Sequence, residues 1–354
     1  MDDMALMRRC LALARRGVGG TSPNPMVGAL LYKDGRVIAG DYHRKAGEPH
    51  AEALVLTKAG AAAAGATLFV SLEPCCHTGK RTPPCTEAII GAKVRRVVAA
   101  MEDPNPAVCG RGIEKLRDAG IETQVGILQD EARRLNEAYI KYITTETPFV
   151  ILKAAMTLDG KMAGPDGQSK WITCEKSRRY VHRIRGGVDA VLTAIGTVKA
   201  DNPRLTARGR GLRSPIRVCI DPSLETPLDY EILTTPPRTI IVTKETDTRA
   251  YGKGVEFIHY DGRLDLKWLM RQLGQRHKIT SVMIEGGASL TGHAVEDGIV
   301  DKVVFFIAPK IIGGKGVYCP VSSKSFRSIS NPFEVYDMRA RTLGTDIVIE
   351  GYLR

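Results

Sequence analysis

Three donors of the types that hold zinc fall within one short stretch: His50, then Cys75 directly after Pro74, then Cys85 directly after Pro84. Glu52 stands two residues beyond the histidine. One imidazole and two thiolates fill three corners of a tetrahedral zinc site and leave the fourth for a water whose pKa falls towards neutrality. Glu52 is of the type that carries a proton from such a water to a substrate, so it must lie near the metal without binding it. A structural zinc normally takes four protein ligands, and Cys76 or His77 would have to be the fourth. Adjacent residues rarely both reach one metal, and that arrangement leaves Glu52 without a task. Residues two apart on a regular helix are separated by roughly 200°. His50 and Glu52 therefore belong at a helix start, where Pro49 is in keeping. Pro83 and Pro84 are expected to open the helix carrying Cys85.

The second half offers a different chemistry. An apolar strand, Ser281 to Ile284, runs into Glu285-Gly286-Gly287-Ala288-Ser289-Leu290-Thr291-Gly292 and then a helical stretch. Glycines there let backbone N–H groups approach a pyrophosphate, and the helix N-terminus favours negative charge. The spacing is not G-x-G-x-x-G, so a standard Rossmann domain is not supported. A ribose phosphate would need an anion clamp, and the planar fork of arginine suits it; Arg185 and Arg208 are the candidates.

Asp2 to Arg16 places Met4, Met7, Leu11 and Ala14 at helical spacing. Met26 to Tyr32 and Val37 to Ala39, joined through Asp34-Gly35, read as a hairpin. Strands at Leu68 to Leu72, Val97 to Ala100 and Ile121 to Val125 alternate with helices near Glu87 and Gly112 to Ala119, and Leu128 to Tyr142 reads as a closing helix. Thr144 to Pro148 breaks the pattern, which sets the expected division at 1–146 and 147–354. Strands at Phe149 to Ala154, Ala190 to Thr193, Val218 to Ile220, Thr239 to Val242, Ser281 to Ile284, Val303 to Ile307 and Asp346 to Tyr352 continue the α/β rhythm. At 354 residues two cores are expected. The net charge of +12, without basic blocks and with only 6% aromatics, favours a phosphorylated small molecule over nucleic acid or a membrane surface. Met1-Asp2-Asp3 is the reverse of a signal-peptide start, and eight scattered cysteines suit a reducing compartment, so a cytoplasmic enzyme is expected.

His-x-Glu followed by two Pro-Cys pairs is the signature of zinc nucleobase deaminases. Thr21 to Gly28, His50-Ala51-Glu52, Leu72 to His77 and Asp103-Pro104-Asn105-Pro106 resemble, more specifically, the deaminase half of the bifunctional riboflavin-biosynthesis deaminase/reductases. Lys153 to Lys161, Ser169 to Thr173, and Gly196-Thr197 through Asp201 to Arg208 resemble its reductase half. The resemblance implies a cytidine-deaminase-like three-layer α/β/α domain followed by a dihydrofolate-reductase-like α/β domain. It implies zinc on His50, Cys75 and Cys85, with Glu52 as proton shuttle and Asn24, His43, Lys80 and Asn105 contacting the pyrimidine substrate. It further implies an NADPH site lined by Ala155, Trp171, Thr197, Asp201 and the segment Gly287, Ala288, Ser289, Leu290, Thr291, Gly292 and His293. Ser169, Arg185, Leu205, Arg208 and Glu285 would contact the reductase substrate, and Lys153 and Asp201 could assist proton transfer. Nine residues separate Cys75 from Cys85 where the family usually has eight; Cys76 would restore the gap, but Cys75 follows Pro74 directly. A homo-oligomer, dimer or tetramer, is also expected. The competing possibilities are a tRNA or nucleotide deaminase joined to an unrelated domain and a zinc-stabilised binding module without activity.

Overall fold

The computed structural model describes all residues except 77–82, 165–166, 168–170, 253, 315–318, 323–326 and 354. It divides into two compact units, Met1–Glu146 and Thr147–Arg354. Among the described residues no helix is long and apolar enough to cross a membrane, and all eight cysteines are free thiols.

The first unit begins with α1 (Asp3–Ala14), whose start is fixed by the Asp2 carboxylate accepting the Ala5 amide hydrogen. The helix buries Leu6, Met7, Cys10, Leu11 and Ala14, while Met4 points outward. Strands β1 (Gly28–Lys33) and β2 (Arg36–Tyr42) form the hairpin. Its two-residue turn places Asp34 at φ 49° and Gly35 at φ 77°, the twist-matching geometry that Asp-Gly favours. Next come α2 (Ala51–Ala59), β3 (Thr67–Val70), α3 (Cys85–Gly91), β4 (Arg96–Ala99), α4 (Arg111–Asp118) and β5 (Glu122–Val125). The sheet order is β2-β1-β3-β4-β5, antiparallel as far as β3 and parallel beyond it. Every residue of β3 is buried, as expected of a central strand covered on both faces.

The expected closing helix is two helices, α5 (Gln129–Leu135) and α6 (Glu137–Thr145). The break falls at Asn136, at φ −107° and ψ 22°. Its buried side chain accepts the Met26 amide hydrogen at 2.8 Å and donates to the Met26 carbonyl at 3.1 Å. Tertiary hydrogen bonds to the chain entering β1 thus replace the helical continuation.

The second unit comprises β6 (Phe149–Thr157), α7 (Glu175–Gly187), β7 (Ala190–Ala194), α8 (Ile195–Asp201), β8 (Ile216–Ile220), α9 (Glu231–Thr234), β9 (Thr239–Thr243), β10 (Val255–His259), α10 (Leu266–Gln275), β11 (Ser281–Ile284), α11 (Ala288–Glu296), β12 (Lys302–Ala308), β13 (Val335–Leu343) and β14 (Asp346–Leu353). Its sheet runs β10-β9-β8-β7-β11-β6-β12-β14-β13. All neighbours are parallel except at β12/β14 and β14/β13. Strands β9 and β11 are wholly buried, whereas β13 is exposed over its length except at half-buried Leu343. The sequence reading anticipated neither β10 nor β13.

Candidate active sites

His50 occupies the N-cap position of α2, and Glu52 is the second residue of that helix. Pro84 occupies the N-cap position of α3, which places Cys85 at its first turn. The two helix starts and the loop after β3 bring His50, Cys75 and Cys85 together, with their ligand atoms all within 4.8 Å of one another. His50 Nδ1 lies 3.3 Å from Cys85 Sγ and 3.6 Å from Cys75 Sγ. Among the described residues no other group of this kind forms. Cys76 is outside it. The sulfur that converges is that of Cys75, and its thiol is held well below the ordinary value by a hydrogen bond from Cys85 and by His50. Cys85 is pushed up by that same bond and by burial. One nitrogen and two sulfurs at this spacing fit a tetrahedral zinc ion with one open corner.

Glu52 is buried, and burial raises its carboxyl pKa. A raised carboxyl suits a group that must take up and return a proton. His50, Glu52 and Cys75 line a cavity of about 400 Å³ that is also lined by Asn24, His43, Asn105, Tyr139 and Tyr142. His43 Nδ1 lies 3.1 Å from the Pro49 carbonyl, which can only accept, so this nitrogen carries the proton. Burial, with His50 nearby, lowers the His43 pKa, and the neutral ring accepts from Asn24 Nδ2 through Nε2 at 3.2 Å. Lys80 lies outside the described residues.

The residue that organises this site was not anticipated. Glu73, buried immediately before Pro74, accepts the amide hydrogens of Asp103, Gly110, Gly112 and Ile113 at 2.8–3.2 Å. One carboxylate therefore ties the cysteine loop to the 103–113 segment. Asp103 in turn accepts from Tyr139 Oη at 2.9 Å and from the Asn105 amide. Carboxylates accepting several backbone N–H bonds are strongly held.

In the second unit a cavity of about 850 Å³ runs along the carboxyl ends of the parallel strands. Its lining comes from Ala194 at the end of β7 and Thr197 beyond it, Pro222 after β8, Tyr260 and Arg263 after β10, and the Gly286–Leu290 segment after β11. Crevices at strand carboxyl ends are where open α/β sheets bind ligands. Gly287 is the N-cap residue of α11, and its amide donates to Thr197 Oγ1 at 3.0 Å. Thr197, Asp201, Gly287, Ala288, Ser289, Leu290 and His293 line this cavity; Ala155, Trp171, Thr291 and Gly292 do not. Thr291 Oγ1 instead lies 2.6 Å from the Pro320 carbonyl oxygen and 2.8 Å from that of Ala288, and its single hydrogen serves one of them at a time. Trp171 is 64% exposed beneath the Arg178 guanidinium, 4.5 Å from its ring centre.

Lys153, Arg185 and Glu285 meet in one ion cluster. Arg185 forks both Glu285 oxygens at 2.8 Å, and Lys153 Nζ lies 3.2 Å from one of them. Burial alone would raise the Glu285 carboxyl, but the two cations hold it well below the usual carboxylate range. Arg185 also donates to the Thr206 carbonyl at 3.1 Å, and Arg208 is exposed two residues on. Leu205 packs its side chain in the core with Val188, Val191 and Val198, its backbone at φ 52°. Ser169 lies outside the described residues.

Fold and donor set define a bifunctional enzyme that joins a cytidine-deaminase-like unit to a dihydrofolate-reductase-like unit. The family model described as the cytidine and deoxycytidylate deaminase zinc-binding region matches residues 1–101, and that of the RibD C-terminal domain matches residues 148–349. The riboflavin biosynthesis protein RibD of Aquifex aeolicus is 44% identical over 352 residues, covering 98% of this chain and 97% of its own. That of Escherichia coli strain K12 is 42% identical, covering 88% and 89%. The structure of RibD from Acinetobacter baumannii (form 1) superposes with a TM-score of 0.91 at 36% identity, covering 99% of both chains. The chain belongs to the RibD family, and it is a deaminase and reductase of riboflavin biosynthesis that uses zinc and NADPH. The match over 148–349 removes the possibility of an unrelated second domain.

Proposed function

We propose that residues 1–146 hydrolytically deaminate 2,5-diamino-6-ribosylamino-4(3H)-pyrimidinone 5′-phosphate and that residues 147–354 then reduce the ribosyl side chain of the product to ribityl. The observation that carries this reading is the convergence of His50, Cys75 and Cys85 with buried Glu52 beside a cavity of small-molecule size. His50, Cys75 and Cys85 would hold zinc, which supplies the Lewis acidity that makes water nucleophilic near neutral pH. Glu52 relays the two protons of that water in turn, the first to the ring nitrogen and the second to the departing amine, which leaves as ammonia. Neutral His43, with Asn24 and Asn105, orients the ring through fixed hydrogen-bond donors and acceptors.

In the reductase unit NADPH supplies the hydride, delivered to C1′ of the opened sugar. Thr197, Asp201 and the Gly287–Leu290 turn would hold the cofactor, Arg208 meets the substrate phosphate, and Lys153 donates a proton to the amine nitrogen on C1′, which gains the electron pair of the opened sugar's C1′=N bond. Arg185 and Glu285 fix that lysine in place. The decisive experiment supplies the diamino substrate with and without NADPH and follows ammonia and NADPH separately. Ammonia release should not need NADPH, and NADPH loss should follow ammonia release. NADPH loss without prior ammonia release would reverse the order proposed.

The enzyme acts in the cytoplasm as a homo-oligomer in this reading. Support for self-association is β13, an exposed edge strand presenting Val335, Tyr336 and Met338, a surface that isolated chains tend to cover. Sedimentation of the full chain as a monomer at micromolar concentration would remove this part.

A further inference from the structure

We propose that Arg263 recognises the 2′-phosphate of NADPH and so sets the preference for NADPH over NADH. The inference rests on the reading of the 850 Å³ cavity as the dinucleotide site.

Among the described residues lining that cavity, Arg263 is the one arginine or lysine. It is exposed on the loop between β10 and α10, and no hydrogen bond or ion pair ties it to another described residue. Arg204 and Arg249, by contrast, are paired with Glu231 and Asp247. Arg263 is left free to meet an anion from outside. The nearby Lys244 is already engaged, its ammonium 5.8 Å from the Tyr260 ring centre.

Strand order decides which anion. The turn that suits the pyrophosphate follows β11, and the Lys153–Glu285–Arg185 cluster lies on β6, after β11 and on α7. The hydride-transfer end of the cofactor must therefore lie on the β6 side of that turn. The adenosine end must extend the other way, across β7 and β8 towards β10. Four strand intervals separate β11 from β10, about 19 Å at ~4.8 Å each. Arg263 stands at this far end, beside the apolar Pro222, Tyr260 and Leu264 that suit an adenine ring. The only anion of NADPH at the adenosine end beyond the pyrophosphate is the 2′-phosphate, which NADH lacks. A guanidinium fork meets a phosphate dianion better than any other side chain.

The test compares the zinc-loaded full chain with Arg263→Ala and Ser289→Asp, titrating NADP+ and NAD+ calorimetrically and measuring kcat/KM for NADPH and NADH. Arg263→Ala should weaken NADP+ by about tenfold or more, the loss of a charge-assisted hydrogen bond, and leave NAD+ within about twofold. Ser289→Asp, which sets a carboxylate at the start of α11, should weaken both. If Ser289→Asp weakens both dinucleotides but Arg263→Ala spares both, or weakens both equally, the assignment of Arg263 is overturned while the cavity reading stands. If Ser289→Asp weakens neither, the cavity is not the dinucleotide site and both fall.

Discussion

The Glu73 carboxylate accepts the Gly112 amide hydrogen at 2.8 Å, joining the residue before Pro74-Cys75 to the first turn of α4. The same carboxylate serves three further amides, so Glu73→Gln turns one acceptor into a donor facing N–H groups. It should destabilise the first unit by about 2–4 kcal/mol, read as a shift in the urea midpoint of zinc-loaded protein. Gly112→Ala should lower zinc content, because a Cβ there would lie 2.1 Å from the Pro74 backbone oxygen. An unshifted midpoint and full zinc content in these variants would contradict the tie.

Glu52→Gln should lower ammonia release by roughly 10²–10⁴-fold while zinc content and NADPH oxidation persist. Chelation should abolish ammonia release and leave NADPH oxidation on the deaminated intermediate. Metal analysis beside the two assays checks both; retained deamination in Glu52→Gln would remove its role.

Arg208→Ala should mainly raise the KM of the reductase substrate, and Asp201→Ala should slow NADPH oxidation while sparing ammonia release. A KM unchanged in the first variant removes Arg208 from the phosphate contact. An equal loss of both activities in the second would show that the two sites are not independent.

Glu285 offers a pH prediction. Its folded-state pKa is depressed, so its contribution to stability is complete above the ordinary value of about 4.3 and is lost as pH falls towards the folded-state value. The thermal midpoint of the second unit should therefore drop on acidification below about pH 4.3. Glu285→Gln strands the Lys153 and Arg185 charges and should cost about 3–5 kcal/mol at neutral pH, while flattening that acid dependence. A steep dependence retained in the variant would assign it to other carboxylates.

The convergence of His50, Cys75 and Cys85 was legible because its chemistry is local: each donor sits at a helix start or beside a proline. The hairpin was legible for the same reason, in Asp34-Gly35. Glu73 was hidden because its partners are backbone amides 30 to 40 residues away, which no side-chain pattern records. The Lys153–Glu285–Arg185 cluster spans 132 residues of chain and exists only once β6 and β11 are adjacent. Reading α5 and α6 as one helix failed at Asn136, where tertiary bonds to Met26 outweigh helical continuation. Helical spacing fixes a stripe but not its edges: Met4, at one end of the apolar series, points outward, while Leu6 and Cys10 are buried. Strand β13 escaped notice because a strand exposed on both faces has no buried alternation to display.

Each sheet is completed within a single uninterrupted stretch of polypeptide. Two genes, one ending at Glu146 and the other beginning at Thr147, should therefore encode pieces that restore growth without riboflavin when expressed together, as a fused gene would.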